Sequence, residues 1–367
     1  MMRWIDLLHR WTGGIIGLVL GLLGLTGAIL AFKTWWLAYL PGAGDAQRQD
    51  IAALAAQIDA AMAAPGGPPQ SILFPTHDFG LARLTRGEGA GAYADQSGRI
   101  VAEWGSKWDR VELWLFDFHH HLFFGDAGET VAGIAALVGL LFVITGAILW
   151  WRLRKTFKLR LIPKRMSRPA IVTHHRDLGV VFAPLLFLSM ATGTLMVLKP
   201  ITTAIFAPGQ DSDGLSAPFE APKVEGGPLA AKLDWAAMFA AARTQYPGAE
   251  IRLVALPRKP GGLILVRLRQ PPEWLPNGRT LVWFRPENGT LVDSRNVQAM
   301  PTGIRAYNAL YPLHAGKIGG ILWKLVIAST GLVLAMLGSF AVWTFWFKRP
   351  KSRARLARES RPAVAAE

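Results

Sequence analysis

Histidine is the residue type of this chain best suited to metal and redox chemistry, and its placement is uneven. Seven of the eight histidines lie beside long apolar stretches: His9, His119, His120, His121, His174, His175 and His314. Imidazoles that approach each other from two helices are common axial ligands of a haem iron. The placement therefore predicts bis-imidazole sites between helices.

Two of these histidines share a local pattern, in which His-Arg is followed by a glycine four residues after the histidine: His9-Arg10 with Gly13, and His175-Arg176 with Gly179. One helical turn on, the glycine lies on the face of its own histidine, so a flat porphyrin can lie against the backbone there. The adjacent arginine is placed to pair with a haem propionate.

Composition excludes several other chemistries. The chain contains no cysteine, which rules out disulfides, Fe–S clusters, Cys-ligated zinc and covalently attached c-type haem. It has no G-x-G-x-x-G or Walker-type loop for a dinucleotide or ATP. The competing chemistry is a path for zinc or iron ions through the membrane. Such a path favours carboxylate ligands, and the apolar stretches contain none.

The elements that must position the histidines are membrane spans. Hydrophobic residues make up 51% of the chain, and the mean hydropathy is +0.26. Four uncharged stretches are long enough to cross a bilayer, which takes about 20 helical residues: Ile15–Phe32, Val131–Trp151, Leu178–Leu198 and Leu325–Phe347. We interpret the first as an uncleaved anchor, because no small-residue cleavage site follows it.

The distribution of charge predicts the orientation of the spans. The chain has a net charge of +15, and segments 1–10, 152–168 and 348–367 together carry 17 Lys and Arg against 3 acidic residues. The positive-inside rule therefore places both termini and the 152–168 loop in the cytoplasm, and the long connections in a periplasm-like space. The basic segments then contact membrane lipid, and nucleic acid is not an expected partner.

The two long connections have the same order of predicted elements. In the first we predict a helix at 50–64, strands at 71–74 and 81–84, and a hairpin that turns at Ser97-Gly98. In the second we predict a helix at 233–246, strands at 251–256, 263–268 and 280–284, and a hairpin that turns at Asn288-Gly289. The order span–domain–span therefore occurs twice along the chain, and this internal repeat suggests a pseudo-twofold axis along the membrane normal.

The predicted fold is an α-helical integral membrane protein, with a four-helix transmembrane bundle and two α+β periplasmic domains. Its segments are transmembrane helix 1 (1–40), outer domain 1 (41–118), transmembrane helix 2 (119–152), a basic cytoplasmic loop (153–173), transmembrane helix 3 (174–199), outer domain 2 (200–312), transmembrane helix 4 (313–347) and a basic cytoplasmic tail (348–367). A Thr-Gly pair marks each span: Thr26-Gly27, Thr145-Gly146, Thr192-Gly193 and Thr330-Gly331. We interpret these pairs as sites of close helix packing.

Several motifs resemble those of the PepSY-associated transmembrane helix family: Leu8-His9-Arg10-Trp11-Thr12-Gly13, Phe118-His119 with Leu122–Gly128, Thr145–Arg152, His175-Arg176-Asp177-Leu178-Gly179, and Leu313-His314-Ala315-Gly316 with Gly319-Gly320. The resemblance covers nearly the whole chain, and both outer segments look like PepSY domains. The family includes bacterial inner-membrane reductases that release iron from ferric siderophores. The resemblance implies two b-type haems.

On this resemblance, His9 and His175 are the axial ligands of a cytoplasmic-side haem, and His119 and His314 are those of a periplasmic-side haem. The neighbouring His174, His120 and His121 are alternatives for these positions. Electrons from a quinol or another cytoplasmic-side donor, which the sequence does not identify, would reach a periplasmic ferric chelate. The alternative function is that of a non-enzymatic PepSY membrane regulator or sensor, or of a metal-transport accessory protein.

Overall fold

The computed structural model describes residues 2–211 and 213–347, so the predicted basic tail at 348–367 lies outside the described residues. The helices are α1 (Met2–Ala31), α2 (Lys33–Trp36), α3 (Ile51–Ala63), α4 (Val111–His121), α5 (Gly125–Trp151), α6 (Arg168–Val197), α7 (Lys199–Phe206), α8 (Trp235–Gln245), α9 (Thr302–His314) and α10 (Gly320–Trp346). The strands are β1 (Ser71–Leu73), β2 (Ala82–Thr85), β3 (Gly91–Ala94), β4 (Ile100–Trp104), β5 (Glu250–Ala255), β6 (Ile264–Arg269), β7 (Thr280–Phe284) and β8 (Leu291–Arg295).

Four of these helices, α1, α5, α6 and α10, are long and apolar enough to cross a membrane, as the sequence predicts. They form a closed ring, in which α1 contacts α10 and α5, and α6 contacts the same two helices. Large apolar side chains along α1 point away from the ring, among them Ile15, Leu18, Leu22 and Leu25. In a soluble protein such a stripe would be costly, whereas here it faces the lipid chains.

The closest helix pair in the ring is α1 with α10. Glycines on α1 allow this approach, because a Cβ atom on Gly24 would lie 2.6 Å from the carbonyl oxygen of Gly331. A Cβ atom on Gly17 would likewise lie 3.1 Å from the carbonyl oxygen of Gly338. Without side chains at these positions the two backbones touch, as at other small-residue interfaces in membranes.

The two long connections build one antiparallel sheet of eight strands among the described residues, in the order β4-β3-β2-β1-β5-β6-β7-β8. The order is symmetric about the β1–β5 pair, which joins the two segments through the partners Ile72 and Val254. Helices α3 and α8 cover one face of the sheet and share its core with strands of both segments. We call the end of the bundle that carries the sheet the outer end, and the opposite end the inner end.

This shared sheet differs from the sequence analysis, which divides the outer region into two domains at 41–118 and 200–312. Strand β1 is paired on both sides, so neither segment has a free inner edge. The guanidinium of Arg252 is buried at 1% exposure and donates to the carbonyl oxygens of Phe74 and Pro75 in the other segment. A buried sheet edge must have its hydrogen bonds satisfied, and the partner segment does this here.

Two short helices at the outer end connect the sheet to the bundle. Helix α4 ends at His121, and α5 starts at Gly125, so His119 lies on a helix separate from the span that follows it. The sequence instead predicts that the second transmembrane segment begins at residue 119. Helix α9 likewise ends at His314, before α10 begins. Both outer histidines therefore reach the bundle from outside its four long helices.

Candidate cofactor site in the helical bundle

The inner end of the bundle brings two of the predicted ligands together. His9 of α1 and His175 of α6 have their ring centres 6.4 Å apart, and the ring of Phe142 packs 5.4 Å from His9. Both imidazoles are half-buried between the helices. The sequence assigns these two histidines to one site, and the fold places them side by side.

The outer end brings the other two together. His119 at the end of α4 and His314 at the end of α9 have their ring centres 6.2 Å apart. Although they are 195 positions apart in sequence, both helices end over the bundle at the same place. The two pairs thus lie at opposite ends of the four long helices, one pair at each end.

The spacing within each pair fits two ligands on one metal ion. An imidazole nitrogen lies about 2 Å from a bound metal and its ring centre about 1 Å further, so two imidazoles on opposite sides of one ion have ring centres about 6 Å apart. The observed separations of 6.4 and 6.2 Å agree with this value. No carboxylate takes part in either pair, which fits a haem better than a free divalent cation.

Threonine hydroxyls fix three of the four imidazoles. The Nδ1 atom of His9 lies 2.9 Å from Thr145 Oγ1, that of His119 lies 3.1 Å from Thr26 Oγ1, and that of His314 lies 2.9 Å from Thr192 Oγ1. Each hydroxyl already donates its only proton to a carbonyl oxygen one turn back in its own helix. It must therefore accept from Nδ1–H of the histidine.

This arrangement sets the tautomer of the three rings. With the proton on Nδ1, the Nε2 atom carries a free lone pair, which is the form that binds a metal. A hydrogen bond to the other ring nitrogen is also what orients metal-bound histidines in general. The three threonines thus prepare these histidines as ligands.

The glycine of each of these Thr-Gly pairs makes room for the same ring. A Cβ atom on Gly27 would lie 2.9 Å from Cε1 of His119, and Cβ atoms on Gly146 and Gly193 would lie 3.5 and 3.4 Å from Cε1 of His9 and His314. The fourth pair differs, because Gly331 meets Gly24 of α1 and no histidine. Our interpretation of the pairs as helix-packing sites therefore holds for the fourth pair. It is incomplete for the other three, which receive an imidazole, although Gly193 also meets Cβ of Ala136 on α5 at 3.6 Å.

The sequence carries a signal for two of these three Thr-Gly pairs, those at Thr26 and Thr192. His9 and Thr26 are 17 residues apart on α1, and His175 and Thr192 are 17 residues apart on α6. At 1.5 Å per residue, each helix therefore carries a candidate ligand histidine at one end. Its Thr-Gly pair, which contacts a histidine of the other site, lies about 25 Å away. This common register places the two sites at matching depths on α1 and α6, which lie opposite each other in the ring.

Open space lies over the glycine one turn from His9. Gly13 is buried, yet a Cβ atom built on it would meet no atom within 4 Å. On Gly179 the nearest atom would be Leu337 Cδ1, at 3.9 Å. By contrast, a Cβ atom on the adjacent Gly14 would overlap the ring of Phe345. A flat ring system can lie over the first two glycines without displacing the chain.

The alternative ligands lie elsewhere. His174 is fully buried, with Nε2 3.1 Å from the carbonyl oxygen of Leu161, so it holds the 152–168 loop against α6. His120 and His121 contact each other and the start of α5. Within the described residues, the geometry therefore brings together the four histidines at the family's motif positions and separates their neighbours from them.

The two arginines predicted to pair with propionates differ in their surroundings. Arg10 is half exposed and lies 3.6 Å from Asp6, one turn away on the same helix. Arg176 binds the fully buried carboxylate of Asp177 and also contacts Thr156 in the basic loop. Arg160 of that loop binds the same carboxylate. Arg176 therefore anchors the loop, whereas Arg10 is exposed and contacts only Asp6 among the acidic residues described.

A cavity of about 310 Å³ lies at the outer end, where the turn between α9 and α10 meets α2 and the segment between β1 and β2. Trp35, Asp78, Lys317 and Lys324 are among the residues that line it. Burial is the largest single effect on Asp78 and disfavours its charge. The hydrogen bond from Lys324 Nζ at 3.1 Å, the contact with His77 and the charges of Lys324 and Lys317 together outweigh burial and lower the pKa of the carboxyl group. The opening combines the ring of Trp35 with two lysines and one carboxylate, so its lining carries one more positive than negative charge.

Fold and site together define a multi-pass membrane protein with an outer antiparallel sheet and two histidine pairs inside its helical bundle. The sequence profile of the PepSY-associated TM region matches residues 7–349. Because the match covers nearly the whole chain, the protein belongs to this family, as the motifs indicate. A comparison with curated proteins finds no match.

Proposed function

We propose that this protein is a di-haem b reductase of the bacterial inner membrane, which passes electrons to a periplasmic ferric siderophore and releases Fe(II). The observation that carries the proposal is the geometry of the two histidine pairs. Each pair has the ring spacing of two ligands on one ion, and three of the four rings have Nδ1 bonded to a threonine hydroxyl. Both termini are cytoplasmic in this proposal, and the outer segments are PepSY-like repeats.

The residues divide into two sets. His9 and His175 would hold the inner haem, with Thr145 and Gly13 supporting it. His119 and His314 would hold the outer haem. When bound, a haem supplies one-electron transfer at a potential that the axial ligands and their surroundings tune. Helices α1 and α6 contribute to both sites and fix the distance between them.

The outer cavity supports an anionic acceptor. Hard oxygen ligands hold Fe(III) far better than Fe(II), so reduction loosens a ferric chelate. Lys317 supplies positive charge at the opening, close in sequence to His314, whereas Lys324 there is paired with Asp78. The described residues show no glycine-rich nucleotide-binding loop, so the electrons come from a quinol or another cytoplasmic-side donor.

The first experiment is a visible absorption spectrum of the detergent-purified protein, oxidised and dithionite-reduced, with the haem counted by the pyridine assay. The proposal expects the sharp reduced bands of low-spin b-type haem and two haems per chain. A colourless protein, expressed with haem in supply, would contradict it and favour the non-enzymatic regulator.

Histidine variants then test the pairing. His9→Ala and His175→Ala should each remove one haem, and the double variant should remove no more than either single change. His119→Ala should remove the other haem, so that combining it with His9→Ala leaves none. His77→Ala is the control, since this side chain is exposed in the outer region. If the two inner variants kept both haems, the assignment of ligands would be wrong.

A further inference from the structure

We propose a second metal site at the outer end, formed by His120, His121 and Glu129, which binds a divalent first-row transition-metal ion. The ligand atoms of these three side chains all lie within 4.8 Å of one another. The site is separate from the histidine pairs, because His119 turns into the bundle while its two neighbours turn away from it.

The spacing of the donors fits a common ion. His120 Nδ1 lies 3.3 Å from His121 Nε2 and 3.9 Å from Glu129 Oε1. Two nitrogens bound to one ion at about 2.1 Å are roughly 3.0–3.4 Å apart in octahedral or tetrahedral geometry. The two imidazoles are thus already at ligand spacing, and a small rotation of the glutamate completes the set.

The carboxylate of Asp117 contacts the His121 imidazole on the side opposite the nitrogen that faces His120. His121 Nδ1 lies 3.3 Å from Asp117 Oδ1, one turn back on α4, and Lys107 Nζ holds the other oxygen of Asp117 at 2.6 Å. With its proton on Nδ1, beside this carboxylate, His121 keeps the lone pair on Nε2, the atom that faces His120. Carboxylate–histidine pairs of this kind stand behind the ligands of many metal sites.

The backbone turn that brings Glu129 to the two histidines is conformationally strained. The turn between α4 and α5 holds Leu122 and Phe123 at φ values of 47° and 68°, in the left-handed region that side chains disfavour. Only because the chain reverses so tightly does the second turn of α5 place Glu129 beside His120. Strained positions of this kind cluster at ligand sites, where surrounding contacts hold them.

The donor set indicates the class of ion. Two imidazoles and one carboxylate with open positions suit Fe(II), Zn(II), Co(II) or Mn(II), and they are poor ligands for Ca(II) or Mg(II). The side chains of His120, Glu129 and His121 are 40%, 33% and 28% exposed, so an ion can enter from the outer side. If the reductase function holds, the site stands next to the haem where Fe(II) is released, but the metal site itself does not depend on that function.

Equilibrium dialysis of the full-length protein against Co(II), with the bound cobalt counted by elemental analysis, tests the proposal. We expect one tightly bound Co(II) per chain, which Zn(II) displaces. Glu129→Gln and His120→Ala should remove it. Asp117→Asn, a positioning change, should weaken binding by about 10–100-fold. His77→Ala, on an exposed histidine beside a carboxylate, is the matched control.

Haem content, measured on the same samples, separates this proposal from the reductase function. Two haems per chain with no cobalt above the level of Glu129→Gln would overturn the metal site alone. Cobalt binding that the variants abolish, in a protein without haem, would leave the site and overturn the reductase. Loss of a haem in His120→Ala would show that His120 is an axial ligand and would overturn this proposal.

Discussion

Replacing Thr26 by valine tests the idea that the threonines prepare the histidines as ligands. Valine keeps the shape of the side chain and removes the hydroxyl that accepts from His119 Nδ1–H. The imidazole then either keeps an unpaired buried donor or moves its proton to Nε2. Either outcome weakens the metal-binding form of His119, although the histidine itself is still present.

The expected magnitude follows from the single hydrogen bond that is lost. A buried donor without a partner costs about 1–3 kcal/mol. Outer-shell partners of metal-bound histidines typically contribute 10–100-fold to affinity, which is about 1.4–2.8 kcal/mol. We therefore expect the outer haem of Thr26→Val to dissociate about 10–100-fold more readily, while the inner haem is unchanged.

The measurement is a haem titration of the apoprotein, followed by the Soret band, for Thr26→Val and for Thr330→Val. Thr330 is the matched control, because it belongs to the one Thr-Gly pair without a histidine and its hydroxyl bonds only to the carbonyl oxygen of Val326. Combining Thr26→Val with His119→Ala should cause no loss beyond that of His119→Ala. Equal losses in Thr26→Val and Thr330→Val would refute the reasoning.

Three further predictions concern the fold around the site. Gly13→Leu should lower the haem content and leave the apoprotein stable. Gly14→Ala should instead destabilise the apoprotein by about 1–3 kcal/mol, because the new Cβ atom overlaps the ring of Phe345. Unfolding midpoints and haem counts would show whether the two positions differ. Ile72→Ala, in the shared core, should lower the free energy of unfolding by about 2–5 kcal/mol and speed amide exchange in β5–β8 as well as in β1–β4. Faster exchange in β1–β4 alone would contradict a core shared by both segments. Since its pKa is lowered in the folded state, Asp78 should stabilise the protein above about pH 4. That contribution should fade as the pH falls through the lowered pKa. It should stay below about 1 kcal/mol at this half-exposed pair, and Asp78→Asn should remove the pH dependence.

The sequence by itself determined the elements and the pairing of the histidines. The four spans are apparent because hydropathy over about 20 residues is a local property. The helices at 51–63 and 235–245 and most strands also lie within a few residues of their predicted positions, since periodicity and turn residues act locally. The histidine pairs follow from topology, because histidines at the same end of a small bundle must lie close together.

The tertiary structure alone decided how each ring is held. A Thr-Gly pair looks the same in sequence whether it receives an imidazole, as Thr145-Gly146 does, or a neighbouring helix, as Thr330-Gly331 does. The difference depends on which helix lies opposite, and this is set by packing across the whole bundle. The choice of His175 over His174 has the same origin, because a shift of one residue turns a side chain by about 100° around its helix.

The sequence likewise does not predict that the two outer segments form one sheet. Strand β1 has three residues and β5 has six, and neither carries a local mark of its partner. Their pairing joins residues about 180 positions apart, and it exists because each segment alone would leave a sheet edge and part of its apolar face exposed. Local patterns fix which residues form strands, whereas burial of the common core fixes which strands meet.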